Sequence, residues 1–388
     1  MKKVFSVLLC VALLLTCFAG CKGKETQNVI RIGIFEPASG PNGAGGKQEA
    51  LGVKYANSVQ PTIEIDGVTY TIELVEVDNQ SAEDKAVTAA TDLVSKKVSV
   101  VLGSYGSSVS IAAGPIFEEA GIPAIGITCT NAQVTAGNKQ YFRICFLDPF
   151  QGSVLAKYAY DNGIRTVYTL AELGNAYDLG LSSSFKTAFE ALGGTVVADN
   201  FPTNQQDFTS FITNAKNANA GAIFAPTSIQ YAQLIVEAAA TQNVNIPLYA
   251  GDTWDNNKVL EAATGKNVSI DITTFYQEGG NPQFDEGIKK WINADPKRLT
   301  DNGGNDMIAA VSAMGYDAYF TALEAIKAAK SSDPAKITEA LWGVQYKGVT
   351  GDIKFDTTNG DAVRTVAYIK SADTQTGLWK FVKEQGVN

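Results

Sequence analysis

The sequence contains no histidine among its 388 residues. That absence removes Ser-His-Asp and Cys-His catalysis, and with them the common imidazole metal sites. Charged residues are also few, 18% against 45% apolar, while glycine is abundant at 36. Such a chain can bury a large core and turns often, which excludes a disordered protein. Basic residues are outnumbered 31 to 40, and without Lys2 and Lys3 of the N-terminal segment the balance is 29 against 40, a net charge of −11. A body of that sign is repelled by phosphate backbones, so no nucleic-acid partner is expected. Of five cysteines, Cys10, Cys17 and Cys21 lie in the N-terminal segment. Only Cys129 and Cys145 are left for the body, too few for a disulfide framework, either as two buried thiols or as one pair.

Long apolar runs are likewise missing. Val4 to Leu15 falls short of the about 20 residues that span a bilayer. It follows Met1-Lys2-Lys3 and leads into Phe18-Ala19-Gly20-Cys21. A basic start, an apolar centre and small residues before a cut describe an export signal over residues 1–20. The quartet resembles the bacterial lipobox, in which Cys21 would be acylated and become the new N-terminus. Residues 21–28 then form a polar tether, and the protein is held outside the cytoplasmic membrane by its acyl chains.

Beyond the tether, apolar runs and helical spacings alternate. Val29 to Phe35 and Val98 to Leu102 are bounded by turn residues and suit buried strands. Lys47 to Val59, Ala82 to Lys96 and Ser108 to Ala120 carry helical spacing. The pattern restarts near Phe150, with strands at Thr166 to Leu170, Thr195 to Asp199, Ala222 to Ala225 and Pro247 to Ala250. Helices are expected between them, with a long Ala-rich one over Met307 to Lys330. Alternation of this kind gives an α/β fold of two doubly wound parallel sheets.

The loop Gly40 to Lys47 lies between a strand and a helix, as a phosphate cradle would. A Walker loop, however, needs Gly where Pro41 stands and Ser or Thr where Gln48 stands. It is therefore expected to be a turn that brings backbone N–H groups near something small. Gly103 to Ser108 follows the next buried strand and crowds hydroxyls and free N–H groups at a helix N-terminus, a place that attracts a carboxylate. Ser108 could equally serve as a helix cap. Thr128 to Asn131 follows the strand after that and adds neutral donors without positive charge. The natural guest is a small carboxylate.

In order along the chain, Pro37-Ala38-Ser39-Gly40, Gly103 with Ser107, Gly121-Ile122-Pro123, Thr128 with Thr130-Asn131, Phe142-Arg143, Asp148 with Gln151-Gly152, Asn175-Ala176-Tyr177, Asp207-Phe208 and Gly315-Tyr316-Asp317-Ala318 resemble the Leu/Ile/Val-type substrate-binding proteins of ABC importers. The resemblance implies a periplasmic-binding-protein type I fold, two lobes joined by three hinge crossings. One lobe would hold 29–148 and about 277–350, the other 149–276 and about 351–388. It also implies an amino acid clamped in the cleft, delivery to an ABC permease with its ATPase subunits, and neither catalysis nor cofactor nor metal. By position, Ser107, Thr128 and Thr130 would hold the ligand carboxylate, Tyr177 would close over it, and Asp252 would meet its ammonium group. Thr227 or Ser228 falls where the family has an aromatic contact, so leucine specificity does not follow. A sensor of the same fold, a binder of an amide or other small carboxylate, and an enzyme using Cys129 remain as alternatives.

Overall fold

The computed structural model describes residues 28–387. The expected export signal, tether and Cys21 lie outside the described residues.

Six strands form the first sheet: β1 (Val29–Glu36), β2 (Thr62–Ile65), β3 (Val68–Asp78), β4 (Val100–Leu102), β5 (Ala124–Gly126) and β6 (Tyr141–Arg143), in the order β2-β3-β1-β4-β5-β6. All neighbours are parallel except β2 and β3, which form a hairpin. Its turn residues Asp66 and Gly67 have φ of 48° and 81°, the left-handed pair that a two-residue hairpin turn requires. Helices α1 (Gly43–Val59), α2 (Glu83–Ser95) and α3 (Ser107–Ala120) connect the parallel strands. Central strands are buried on both faces, so Ile32, Ile34, Val100, Val101 and Leu102 read as unbroken apolar runs.

The chain then builds α4 (Asp148–Asp161), β7 (Thr166–Glu172), α5 (Ala176–Ala191), β8 (Thr195–Phe201), α6 (Thr209–Asn217), β9 (Ala222–Phe224), α7 (Ile229–Thr241), β10 (Leu248–Ala250), α8 (Asn257–Ala263) and β11 (Ile270–Thr274). After it come α9 (Pro282–Asn293), α10 (Pro296–Asp301), α11 (Ala310–Ala329), α12 (Pro334–Leu341) and the hairpin β12 (Gln345–Gly348) and β13 (Gly351–Lys354). Strands β14 (Ala367–Asp373) and β15 (Leu378–Gln385) complete the second sheet, ordered β15-β14-β11-β10-β9-β7-β8.

Helix α11 returns to the first lobe and lies against α1. Two glycines permit the close crossing: a Cβ on Gly52 would fall on the Ser312 carbonyl, and one on Gly315 on the Glu49 carbonyl. The molecule is thus two doubly wound lobes, with chain crossings after β6, after β11 and after β13. The crossings lie side by side. Phe146 of the first stacks on Phe275 of the second at 4.3 Å, and Arg364 of the third donates to the Ile144 carbonyl at 2.9 Å. Arg143, fully buried, pairs with Asp361 at 2.6 Å and also donates to the Cys129 carbonyl at 2.9 Å. Asp317 accepts from the Val349 and Thr350 amides and anchors the turn before the third crossing.

One expectation is corrected. Helix α1 starts at Gly43, four residues before Lys47, so most of the glycine-rich segment is helical. Its glycines are there for packing: a Cβ on Gly45 would enter the Tyr105 ring, and one on Gly46 would meet the Pro37 carbonyl. The short strand β6 and the helix α9 were not read from sequence, although Phe284, Ile288 and Ile292 give α9 a clear helical spacing of buried apolar residues.

Candidate functional site

The cleft between the lobes opens at the carboxyl ends of β1, β4 and β10, where doubly wound sheets hold their ligands. It is bordered on one side by Pro37, Tyr105 and Ser107 and on the other by Tyr177, Ser228 and Asp252. The lobes are closed on each other. Tyr105 donates to the Thr253 carbonyl at 3.0 Å, Ser108 accepts from the Ala176 amide at 2.9 Å, Asn131 donates to the Ala176 carbonyl at 2.6 Å, and Asn42 accepts from the Ile229 amide at 3.2 Å.

Ser107 is the first residue of α3, and its Oγ accepts from the Asn131 amide at 3.2 Å. The hydroxyl hydrogen remains available, and the helix start adds partial positive charge. Across the cleft, Tyr177 sits in the first turn of α5, whose cap Asn175 accepts from the Tyr177 amide at 3.1 Å. Asp252 follows β10 directly, in the short turn Asp252–Trp254.

Asp252 is 4% exposed, and its Oδ1 accepts from Gln151 Nε2 at 2.8 Å and from the Tyr177 hydroxyl at 3.0 Å. Both donors are neutral. Burial pushes its carboxyl up to about 6, against the lowering effect of these two hydrogen bonds. The nearby cation Lys370 is already paired with Asp255 at 2.9 Å, and Arg143 with Asp361. Asp252 therefore presents a buried negative charge with only dipoles to offset it, a standing cost that a cationic group would relieve.

Thr128, Thr130 and Thr227 are buried but do not border the cleft. Thr128 donates to Glu49 Oε2 at 2.5 Å, Thr130 lies beside Asp148, and Thr227 accepts from Trp254 Nε1 at 3.3 Å. The Thr128 and Thr227 hydroxyls are engaged by the layer behind the cleft, the Thr130 hydroxyl has no hydrogen-bond partner among the described residues, and Ser228, the neighbour of Thr227, reaches the space instead. Cys129 and Cys145 are free and buried. Burial pushes the Cys129 thiol up to about 11, the reverse of an activated nucleophile.

Sequence reasoning missed Tyr105, Asp178, Thr253 and the carboxyl pair Glu36 and Glu49. The pair had a signal: an acid ends the apolar run Ile32-Gly33-Ile34-Phe35, and another sits on the apolar face of α1. Glu36 Oε2 accepts from the Tyr105 amide at 2.8 Å, and the Oε1 atoms of both glutamates have no hydrogen-bond partner among the described residues. Burial, with mutual repulsion next, raises Glu36 well above the usual range, and burial raises Glu49 to about 8. The folded chain thus binds protons here that the unfolded chain releases at lower pH. Stability is full below the ordinary glutamate range and declines as pH rises toward about 8. Glu49→Gln is expected to flatten that decline: thermal melts should give a higher Tm than the native chain at pH 8.5 and a similar one at pH 4.5. Equal Tm values at pH 8.5 would contradict the raised carboxyl.

Among the described residues no group of His, Cys, Asp and Glu is placed to hold a metal ion, and no helix is long and apolar enough to cross a membrane.

A family model described as "periplasmic binding protein" matches residues 29–376. A Leu/Ile/Val-binding protein homolog 1 of Brucella melitensis is 27% identical over 334 residues, 84% of this chain and 86% of that protein. Among solved structures, a leucine binding protein, LivK, of Thermotoga maritima is similar with a TM-score of 0.81 and 30% identity, over 92% of this chain and 99% of the other. A branched-chain amino acid transporter substrate binding protein, LivJ, of Streptococcus pneumoniae, solved with isoleucine, is similar with a TM-score of 0.78 and 25% identity, over 92% of this chain and 99% of the other.

Proposed function

Because this chain belongs to the periplasmic binding protein family, a family of extracytoplasmic solute binders for ABC transport, we propose that it captures an α-amino acid between its lobes and presents the closed form to an ABC permease. The single observation that carries this reading is Asp252, a buried carboxylate without a cation, facing Ser107 at a helix start across one narrow cleft. A zwitterion is the ligand whose two poles suit that pair. The ammonium group settles at Asp252 and the carboxylate at Ser107, while Tyr177 covers the ligand from the second lobe. The segments before the first crossing and between the second and third make up one jaw, and the segments between the first and second and after the third make up the other. Ligand contacts to both jaws favour the closed state, so binding shifts the population toward the shape the permease reads. Cys21 carries the acyl anchor that keeps the receptor at the membrane, and the importer's ATPase subunits drive release into the cell.

Calorimetry of the purified protein with a panel of L-amino acids tests the reading. At least one should bind, and its N-acetyl derivative, which lacks the ammonium charge, should not. Silence across the panel would end it.

Acid should weaken capture. The ammonium group needs an ionised Asp252, so with that carboxyl at about 6 the apparent affinity is expected to fall roughly tenfold between pH 7 and pH 5. Titrations at both pH values check this, and a flat profile would place the ammonium elsewhere.

A further inference from the structure

Once the two poles of a zwitterion are assigned, the remaining surface of the cleft faces the ligand's side chain, and that surface is polar. Three of its atoms have no hydrogen-bond partner among the described residues: Asp178 Oδ1, Ser228 Oγ and Thr253 Oγ1. Asp178 is fully buried, Ser228 is 2% exposed and Thr253 4%. The Asp178 carboxylate is fixed in orientation, because its Oδ2 accepts from the Glu172 amide at 3.0 Å. That contact ties the carboxylate to the end of β7 but uses only one of its oxygens. No lysine or arginine borders the cleft, and Pro37 and Val109 are its aliphatic contributions. In the closed cleft the three atoms are already out of reach of water, and an aliphatic ligand side chain would leave them unpaired there. A side chain with N–H groups would satisfy them.

Resting on the reading that the cleft holds an α-amino acid, we infer that the captured side chain carries N–H donors, as an amide or a cationic nitrogen, and that Asp178 with Ser228 selects for it. Asp178 meets the N–H, and the Ser228 and Thr253 hydroxyls turn to donate or accept as the side chain demands. The selection is a site built for hydrogen-bonding partners, which rejects an apolar isostere by leaving buried groups unpaired.

Competition calorimetry on the purified protein compares asparagine with leucine and glutamine with methionine, pairs of similar length, and adds ornithine, lysine and arginine. At least one nitrogen-bearing ligand should bind tenfold or more tighter than its aliphatic counterpart. The amide and cation arms identify which nitrogen is read. Asp178→Asn should cut the preference at least threefold, and Ser228→Ala, which leaves the α5 cap untouched, should move it in the same direction at unchanged ligand-free Tm. If leucine or methionine binds as tightly as its partner, and Asp252→Ala still abolishes binding, this inference falls and the amino-acid receptor stands. If no amino acid binds, both fall. A preference unchanged in both variants also overturns it.

Discussion

Asp252→Ala should lower affinity for the captured amino acid by roughly 100- to 1,000-fold while leaving the empty protein at least as stable as the native chain. The two effects have opposite signs for one reason. Asp252 is 4% exposed and held only by the neutral donors Gln151 and Tyr177, so in the empty cleft its charge is a burden. With ligand bound, it is half of a buried, hydrogen-bonded charge pair, and truncating one partner of such a pair costs about 2–5 kcal/mol, where each 1.4 kcal/mol is about tenfold in affinity. Gln151 keeps a partner after the substitution, because its Nε2 also donates to Thr273 at 2.8 Å. Calorimetry measures the first effect and ligand-free thermal melts the second. A large fall in Tm together with lost binding would mean that Asp252 serves the fold and not the ligand.

Gly180→Leu should block closure and reduce apparent affinity about 100-fold without unfolding either lobe. Gly180 lies on α5 of the second lobe, and a Cβ there would fall on Asn131 Nδ2 and 2.9 Å from Asp148 Oδ2. Asn131 belongs to the first lobe and donates to the Ala176 carbonyl at 2.6 Å, so its side chain is held in the path of any added carbon. Its own Oδ1 is engaged by the Gln133 amide, which limits its retreat. A closed state disfavoured by about 3 kcal/mol lowers apparent affinity by roughly the inverse of the competent fraction. Small-angle scattering with saturating ligand should show the native chain contracting and the variant staying open. Contraction of both to the same radius would show that this contact is not part of closure.

The legible parts of the molecule are those where one short stretch of residues settles its own environment. The central strands announced themselves because a strand covered on both faces must be apolar throughout, as in Val29 to Phe35. Helix ends were readable where a single residue forces them, as at Gly121, whose φ of 65° closes α3. The glycines before Lys47 misled because a glycine kept for turning and one kept for close packing look alike in sequence. Only the approach of Tyr105 and Pro37 separates the two. Within the site, Ser107, Tyr177 and Asp252 each stand at the junction of a strand and a helix, a position that chain order alone marks. Thr128, Thr130 and Thr227 stand at similar junctions, yet none of them borders the cleft: Glu49 takes the Thr128 hydroxyl, Trp254 the Thr227 hydroxyl, and Thr130 lies beside Asp148.

By itself the sequence determined the lobe architecture, the absence of histidine chemistry and the sign of the charge, because composition and periodicity act locally and add along the chain. Tertiary structure alone decided which carboxylates are left without a cation. Asp252 and Asp255 are three residues apart and equally buried, but Lys370, more than a hundred positions away, reaches Asp255 and leaves Asp252 to the cleft. Charge pairing depends on distance in space, and no local pattern encodes it.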